Sequence, residues 1–195
     1  TKDPRAVPLL LKHFVNNSGS RSTLITLLQQ VGDQSVAAVF IKEYPKLSEY
    51  EKAAVLKGLF QLQSPEFKKL AGEALLSKHS SMVSAAAQGL QEDGGPAATK
   101  LLVDALEKST HSSTWSYVSN ALGSIGSAEA RLALVKARGA SDSNKQNYAK
   151  NALRSMSQRS PGYQYIYQAR NYVKQKNWKM AVTQYTQAVS ADDTL

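Results

Sequence analysis

Apolar positions along this chain recur on two scales, every three or four residues and every thirty or so. Leu28, Leu59, Leu90, Leu122 and Leu153 are separated by 31, 31, 32 and 31 residues, and a fixed period of that size marks stacked structural units. Companion columns keep the register. Four residues before each leucine stand Leu24, Val55, Ala86, Val118 and Ala149, and one before stand Leu27, Gly58, Gly89, Ala121 and Ala152. Three after stand Val31, Leu62, Asp93, Ile125 and Met156. These offsets share one side of a helix with about 3.6 residues per turn, so each unit carries an amphipathic helix whose stripe only Asp93 breaks. The small residues in the stripe predict close approach by a neighbouring helix.

A second set of columns accompanies the first: Val36, Phe67, Ala98 and Ala130; Val39, Leu70, Leu101 and Ala133; Phe40, Ala71, Leu102 and Leu134. They again sit at i, i+3 and i+4, and no segment alternates with the period of a strand. The pattern predicts helices over 4–16, 20–31, 34–44, 49–62, 65–77, 81–92, 96–108, 114–124, 128–138 and 143–156, which make five pairs. Local punctuation agrees. Ser48 with Glu51 reads as a capping box, Ser64-Pro65 as an N-cap followed by proline at the first helical position, and Pro4, Pro96 and Pro161 as further helix starts.

Two-helix units of about 31 residues, joined by turns such as Val31-Gly32-Asp33 and the stretch Leu122-Gly123-Ser124-Ile125-Gly126-Ser127, resemble short HEAT-like repeats of the kind also found in bilin lyases. Armadillo units are longer, and the ankyrin T-P-L-H signature is missing. The resemblance implies an all-α fold, a right-handed α-α solenoid of five antiparallel helix pairs over 1–157.

After Gln158-Arg159-Ser160-Pro161-Gly162, a linker by composition over 158–162, the pattern changes. Residues 163–195 resemble one tetratricopeptide unit, with Tyr165, Ala169, Tyr172, Trp178, Ala181, Tyr185 and Ala188 in that family's slots. Gln168, usually aliphatic, and Asp193, where proline is common, depart from it. The resemblance gives Tyr165, Tyr172 and Trp178 core roles. One such unit cannot bury both of its faces. The expectation is therefore that further units follow in a longer protein. The last helix, roughly 178–190, should carry an unpartnered apolar flank at Met180, Val182 and Val189 that permits weak self-association.

Charge changes this picture in one region. The formal net charge is +9, yet residues 1–130 balance to +1, while 131–180 reach +10 with Asp142 as their one acidic residue. Lysines and arginines there interleave with Tyr148, Tyr163, Tyr165, Tyr167, Tyr172 and Trp178. Three readings stand: a solvated basic face, a surface for an acidic protein or peptide, or a nucleic-acid surface that pairs phosphates and stacks bases on Tyr148, Tyr163 and Tyr167. Within 143–156, Ala149, Ala152, Leu153 and Met156 point one way, and Asn147, Lys150, Asn151 and Arg154 point the other. HEAT-like arrays line their concave side with the second helix of each pair and tetratricopeptide arrays with the first. The resemblance thus implies that Lys150, Arg154, Arg170 and Lys174 share a groove, and with Arg159 they are the candidate partner-binding residues.

Candidate chemistry is sparse. There is no cysteine, and His13, His79 and His111 have no metal-ligand spacing, so no catalytic residue, metal or cofactor is assigned. Apolar stretches fall short of the roughly 20 residues that span a bilayer. Trp115 is similar in placement to tryptophans of HEAT-like alkylpurine DNA glycosylases, but without a partnering carboxylate a packing role is expected. The polar stretch 109–114 reads as a solvated turn, and the sequon Asn16-Asn17-Ser18 carries no weight by itself. The Lys and Asn pair with which some tetratricopeptide domains hold C-terminal carboxylates is replaced by Ile166 and Arg170. Function is expected to be non-enzymatic protein–protein scaffolding. The alternative is a nucleic-acid-binding or enzyme-accessory protein, bilin-lyase-like or DNA-glycosylase-like.

Overall fold

The computed structural model describes residues 4–191; Asp192 and Asp193 lie outside them. Among the described residues twelve α-helices and no strands are present. The helices divide into two compact units at the Ala121–Leu122 bond, a packing boundary distinct from the change of sequence pattern at 158–162.

The first unit contains α1 (Val7–Asn16), α2 (Arg21–Val31), α3 (Gln34–Glu43), α4 (Glu49–Gln61), α5 (Phe67–Ala74), α6 (Ser80–Asp93), α7 (Pro96–Lys108) and most of α8 (Ser112–Ile125). Within it α2 packs on α4 and α4 on α6, while α1 touches α3 and α5 touches α7. Successive second helices are therefore neighbours, as the repeated columns require. Leu28, Leu59 and Leu90 are fully buried, and so are Val36, Phe40, Ala71, Ala98 and Leu102 from the second set. The Phe14 and Phe40 rings meet edge to face at 5.4 Å. One polar staple ties adjacent pairs, Gln29 Nε2 donating to the Ala54 carbonyl at 2.7 Å, and another closes the second pair on itself, Gln34 Nε2 donating to the Leu62 carbonyl at 2.7 Å.

The small residues of the first stripe act as predicted. A Cβ on Gly58 would lie 2.8 Å from Gln29 Cγ and 3.0 Å from the Phe40 ring, and one on Gly89 would lie 2.5 Å from the Phe67 ring. Leu27, in the same column of the first pair, is by contrast exposed.

Several boundaries differ from expectation. The capping box at Ser48 and Glu51 is formed, and Pro96 begins α7. Ser64 does not cap the next helix, which starts at Phe67. Gln63 takes a left-handed backbone (φ 53°), its N–H bonds the Phe60 carbonyl, and the Ser64 N–H reaches back to the Leu59 carbonyl at 2.9 Å. Ser64 is thereby consumed in stopping α4, a Schellman arrangement, and its buried Oγ has no hydrogen-bond partner. Pro4 opens a single 3-10 turn ahead of α1, and Pro161 sits in a turn two residues before the next helix start. The polar stretch 109–114 is helical only in its second half, where Ser112 begins α8. Ser109 is buried, its carbonyl accepts from Trp115 Nε1 at 2.8 Å, and Thr114 Oγ1 donates to the Leu75 carbonyl at 3.0 Å. Trp115 is accordingly a buried, satisfied packing residue.

The second unit holds the end of α8, α9 (Ala128–Arg138), α10 (Ser143–Arg159), α11 (Tyr163–Lys174) and α12 (Trp178–Ala191). Here α9 packs on α10, α10 on α11, and α11 on α12. Leu122, Ala149, Ala152, Met156, Ala169, Ala181 and Ala188 are buried. Two expectations need correction. Helix α10 continues through Gln158 and Arg159 into the expected linker, because its cap falls only at Ser160. Trp178 is 62% exposed and Tyr165 lies at the surface, so neither fills a core. Ala169, Ala181 and Ala188 are the buried residues of these two helices, and Tyr172, the third aromatic expected in the core, is half-buried.

Among the described residues no helix is long and apolar enough to cross a membrane.

Candidate functional site

The most chemically distinct surface lies wholly within the second unit and is built by α9, α10 and α11. Helix α10 is started by Asp142, whose carboxylate accepts from the backbone N–H of Asn144 at 2.8 Å and of Lys145 at 3.1 Å. The one acidic residue of the basic block is thus committed to a cap, where it also complements the helix dipole. From that start Ala149, Ala152 and Met156 turn inward, and Asn147, Lys150, Asn151 and Arg154 are exposed as the helical geometry predicts. Leu153 is the exception among the repeated leucines. It is only half-buried, because it faces a groove.

That groove has a volume of about 600 Å³, within the range of roughly 300–1,000 Å³ common for ligand sites. Lys150 and Arg154 come from α10, Arg170 and Lys174 from α11, and Arg138 from the last turn of α9. Each pair on α10 and α11 is separated by four residues, about one helical turn and 6 Å of rise. Leu153 and Ile166 line the same groove, and so do Tyr163 and Tyr167, the latter 57% exposed. Asn171 and Ser157 add the neutral polar groups. No Asp, Glu or His lines the groove. None of its five cations takes part in an ion pair among the described residues.

Of the five residues singled out from the sequence, four therefore meet in one place, and Arg159 does not. The Arg159 guanidinium donates to the Gly123 carbonyl, and its Nε to the Ser155 carbonyl at 3.3 Å. It lines a separate cavity of about 250 Å³ beside Arg131 and Gly126. Two of its donors are spent on backbone carbonyls, one of them near the C-terminal end of α8, where the helix dipole favours a cation. Arg138 was missed as a site residue. A cation in the last turn of a helix reads as a dipole complement, and only tertiary packing brings it to the groove. Tyr163 and Tyr167, expected as free aromatics, do line it, whereas Tyr148 does not.

The arrangement offers fixed positive charge around an apolar floor. Its five cations suit it to hold an anionic ligand. No family model and no curated protein matches this chain, so the chemistry of the groove carries the functional argument.

Proposed function

We propose that this chain is a non-enzymatic protein-interaction module, a solenoid of HEAT-like helix pairs followed by a tetratricopeptide unit, that binds an acidic protein segment. The observation that carries the reading is the groove, where five cations from three helices stand together with no carboxylate to neutralise them. Like charges gathered at such spacing repel, and an anionic partner relieves that repulsion. The neighbour contacts α2·α4, α4·α6 and α5·α7 support the repeat reading, since each stacked pair buries what one pair leaves open.

A labelled polyglutamate peptide tests the proposal by fluorescence anisotropy. Binding is expected at low ionic strength, with a loss of about tenfold or more on adding physiological salt and a similar loss in Lys150→Glu, Arg170→Glu. No binding by the parent protein, or binding that the charge reversals leave intact, overturns it. A second reading, single-stranded nucleic acid, is favoured by exposed Tyr167 within a basic groove. Tighter binding of oligothymidylate than of the acidic peptide selects that reading.

A further inference from the structure

The groove differs from an ordinary basic surface in its floor. Leu153 and Ile166 are half-buried aliphatic side chains that line it together with five cations and with Tyr163 and Tyr167. A ligand made only of charge satisfies the cations and leaves this floor in water. One made only of apolar groups covers the floor and leaves unpaired cations partly desolvated, which is costly. Both costs vanish together only for a ligand with an apolar side chain at its centre and acidic side chains before and after it.

We infer that the groove selects short acidic segments interrupted by a single aliphatic anchor, the anchor seated on Leu153 and Ile166. Acidic neighbours on one side of the anchor meet Lys150 and Arg154, and those on the other meet Arg170 and Lys174. Arg138 adds a cation at the groove from α9. The Asn171 amide has both donors and an acceptor with which to hold the segment's backbone. This inference rests on the reading of the groove as a partner site and adds to it a rule for which partner.

Four labelled probes decide it: a Glu/Ser peptide, the same peptide with one central Leu, the Leu peptide with every Glu changed to Gln, and oligothymidylate. The Leu-centred acidic peptide is expected to bind about ten- to a hundredfold more tightly than the Glu/Ser peptide, the gain of burying one aliphatic side chain. The Gln version is expected not to bind. Ile166→Asn should abolish the tighter binding of the Leu-centred peptide relative to the Glu/Ser peptide. Tyr167→Ser, at a more exposed position, should reduce that advantage without touching the fold. Equal affinity for the two acidic peptides overturns the anchor and leaves the acidic-partner reading intact. Binding of oligothymidylate alone, or of none of the probes, overturns both.

Discussion

Two glycines at equivalent-looking helical positions have opposite roles, and the difference is visible only atom by atom. A Cβ on Gly89 would meet the Phe67 ring at 2.5 Å, and that ring is itself held against Phe60 at 5.3 Å between centroids. A Cβ on Gly72 would meet only the end of the Leu101 side chain at 3.1 Å, which can turn aside. Gly89→Ala should therefore lose stability, because overpacking of about 1–3 kcal/mol exceeds the gain of about 1 kcal/mol in helix propensity. Gly72→Ala should hold or gain up to about 1 kcal/mol, and urea denaturation of the two variants checks the contrast. Asp33 gives a second residue-level test. Its carboxylate accepts from Ser35 Oγ at 2.6 Å and from the Ser35 N–H at 2.8 Å, and these bonds hold its pKa below the usual 3.8. A depressed carboxylate stabilises the fold above its unfolded pKa and loses that contribution as pH falls through the folded value. Asp33→Asn keeps an oxygen acceptor for the cap but cannot titrate. The variant's stability deficit near neutral pH should close on acidification below about 3.8, and a deficit independent of pH in thermal melts would refute the assignment.

At the scale of elements, helix existence, facing and most helix ends were legible, and the ends that were not are those of α5, Phe67 and Ala74, and the C-terminal end of α10 at Arg159. The columns through Leu28, Leu59 and Leu90 and through Phe40, Ala71 and Leu102 follow from period alone, because burial on one face demands it. The exposed side of α10 was legible for the same reason, and with it most of the groove. The start of α5 escaped because Gln63, at φ 53°, occupies a left-handed position that a reader assigns to glycine or asparagine, as does Lys176 at φ 58°. After Lys176 the Asn177 N–H bonds the Tyr172 carbonyl at 2.9 Å, repeating the geometry that follows Gln63. Arg138 escaped because groove membership depends on how α9 lies against α10, and Arg159 was misplaced because exposure of a cation says nothing about which carbonyl it meets. If backbone geometry stops α4, then Gln63→Gly should relieve the strain of a side chain at positive φ. It should stabilise the first unit by up to about 1 kcal/mol, measured as a rise in denaturation midpoint without a change in slope.

For the whole molecule, charge and apolar surface make opposite demands on salt. Trp178, Val182, Tyr185 and Val189 follow one another at helical spacings of four, three and four residues along α12, and are 62%, 65%, 41% and 57% exposed. They form a stripe about 16 Å long on one side of the helix. Met180, expected on the same flank, is exposed but lies off this line. An apolar stripe of this kind favours association between copies, while a net charge of +9 holds copies apart. Screening by salt weakens that repulsion and leaves apolar burial intact, so self-association should increase with ionic strength. Capture of an acidic peptide in the groove should decrease over the same range. Sedimentation velocity across a salt series should show the weight-average mass rising, accompanied by a blue shift of Trp178 emission, and Val182→Lys, Val189→Lys should suppress both while leaving peptide affinity unchanged. A strictly monomeric protein at high concentration and high salt would mean that the stripe is not an associating surface, and parallel salt trends for both processes would mean that one cationic surface drives them.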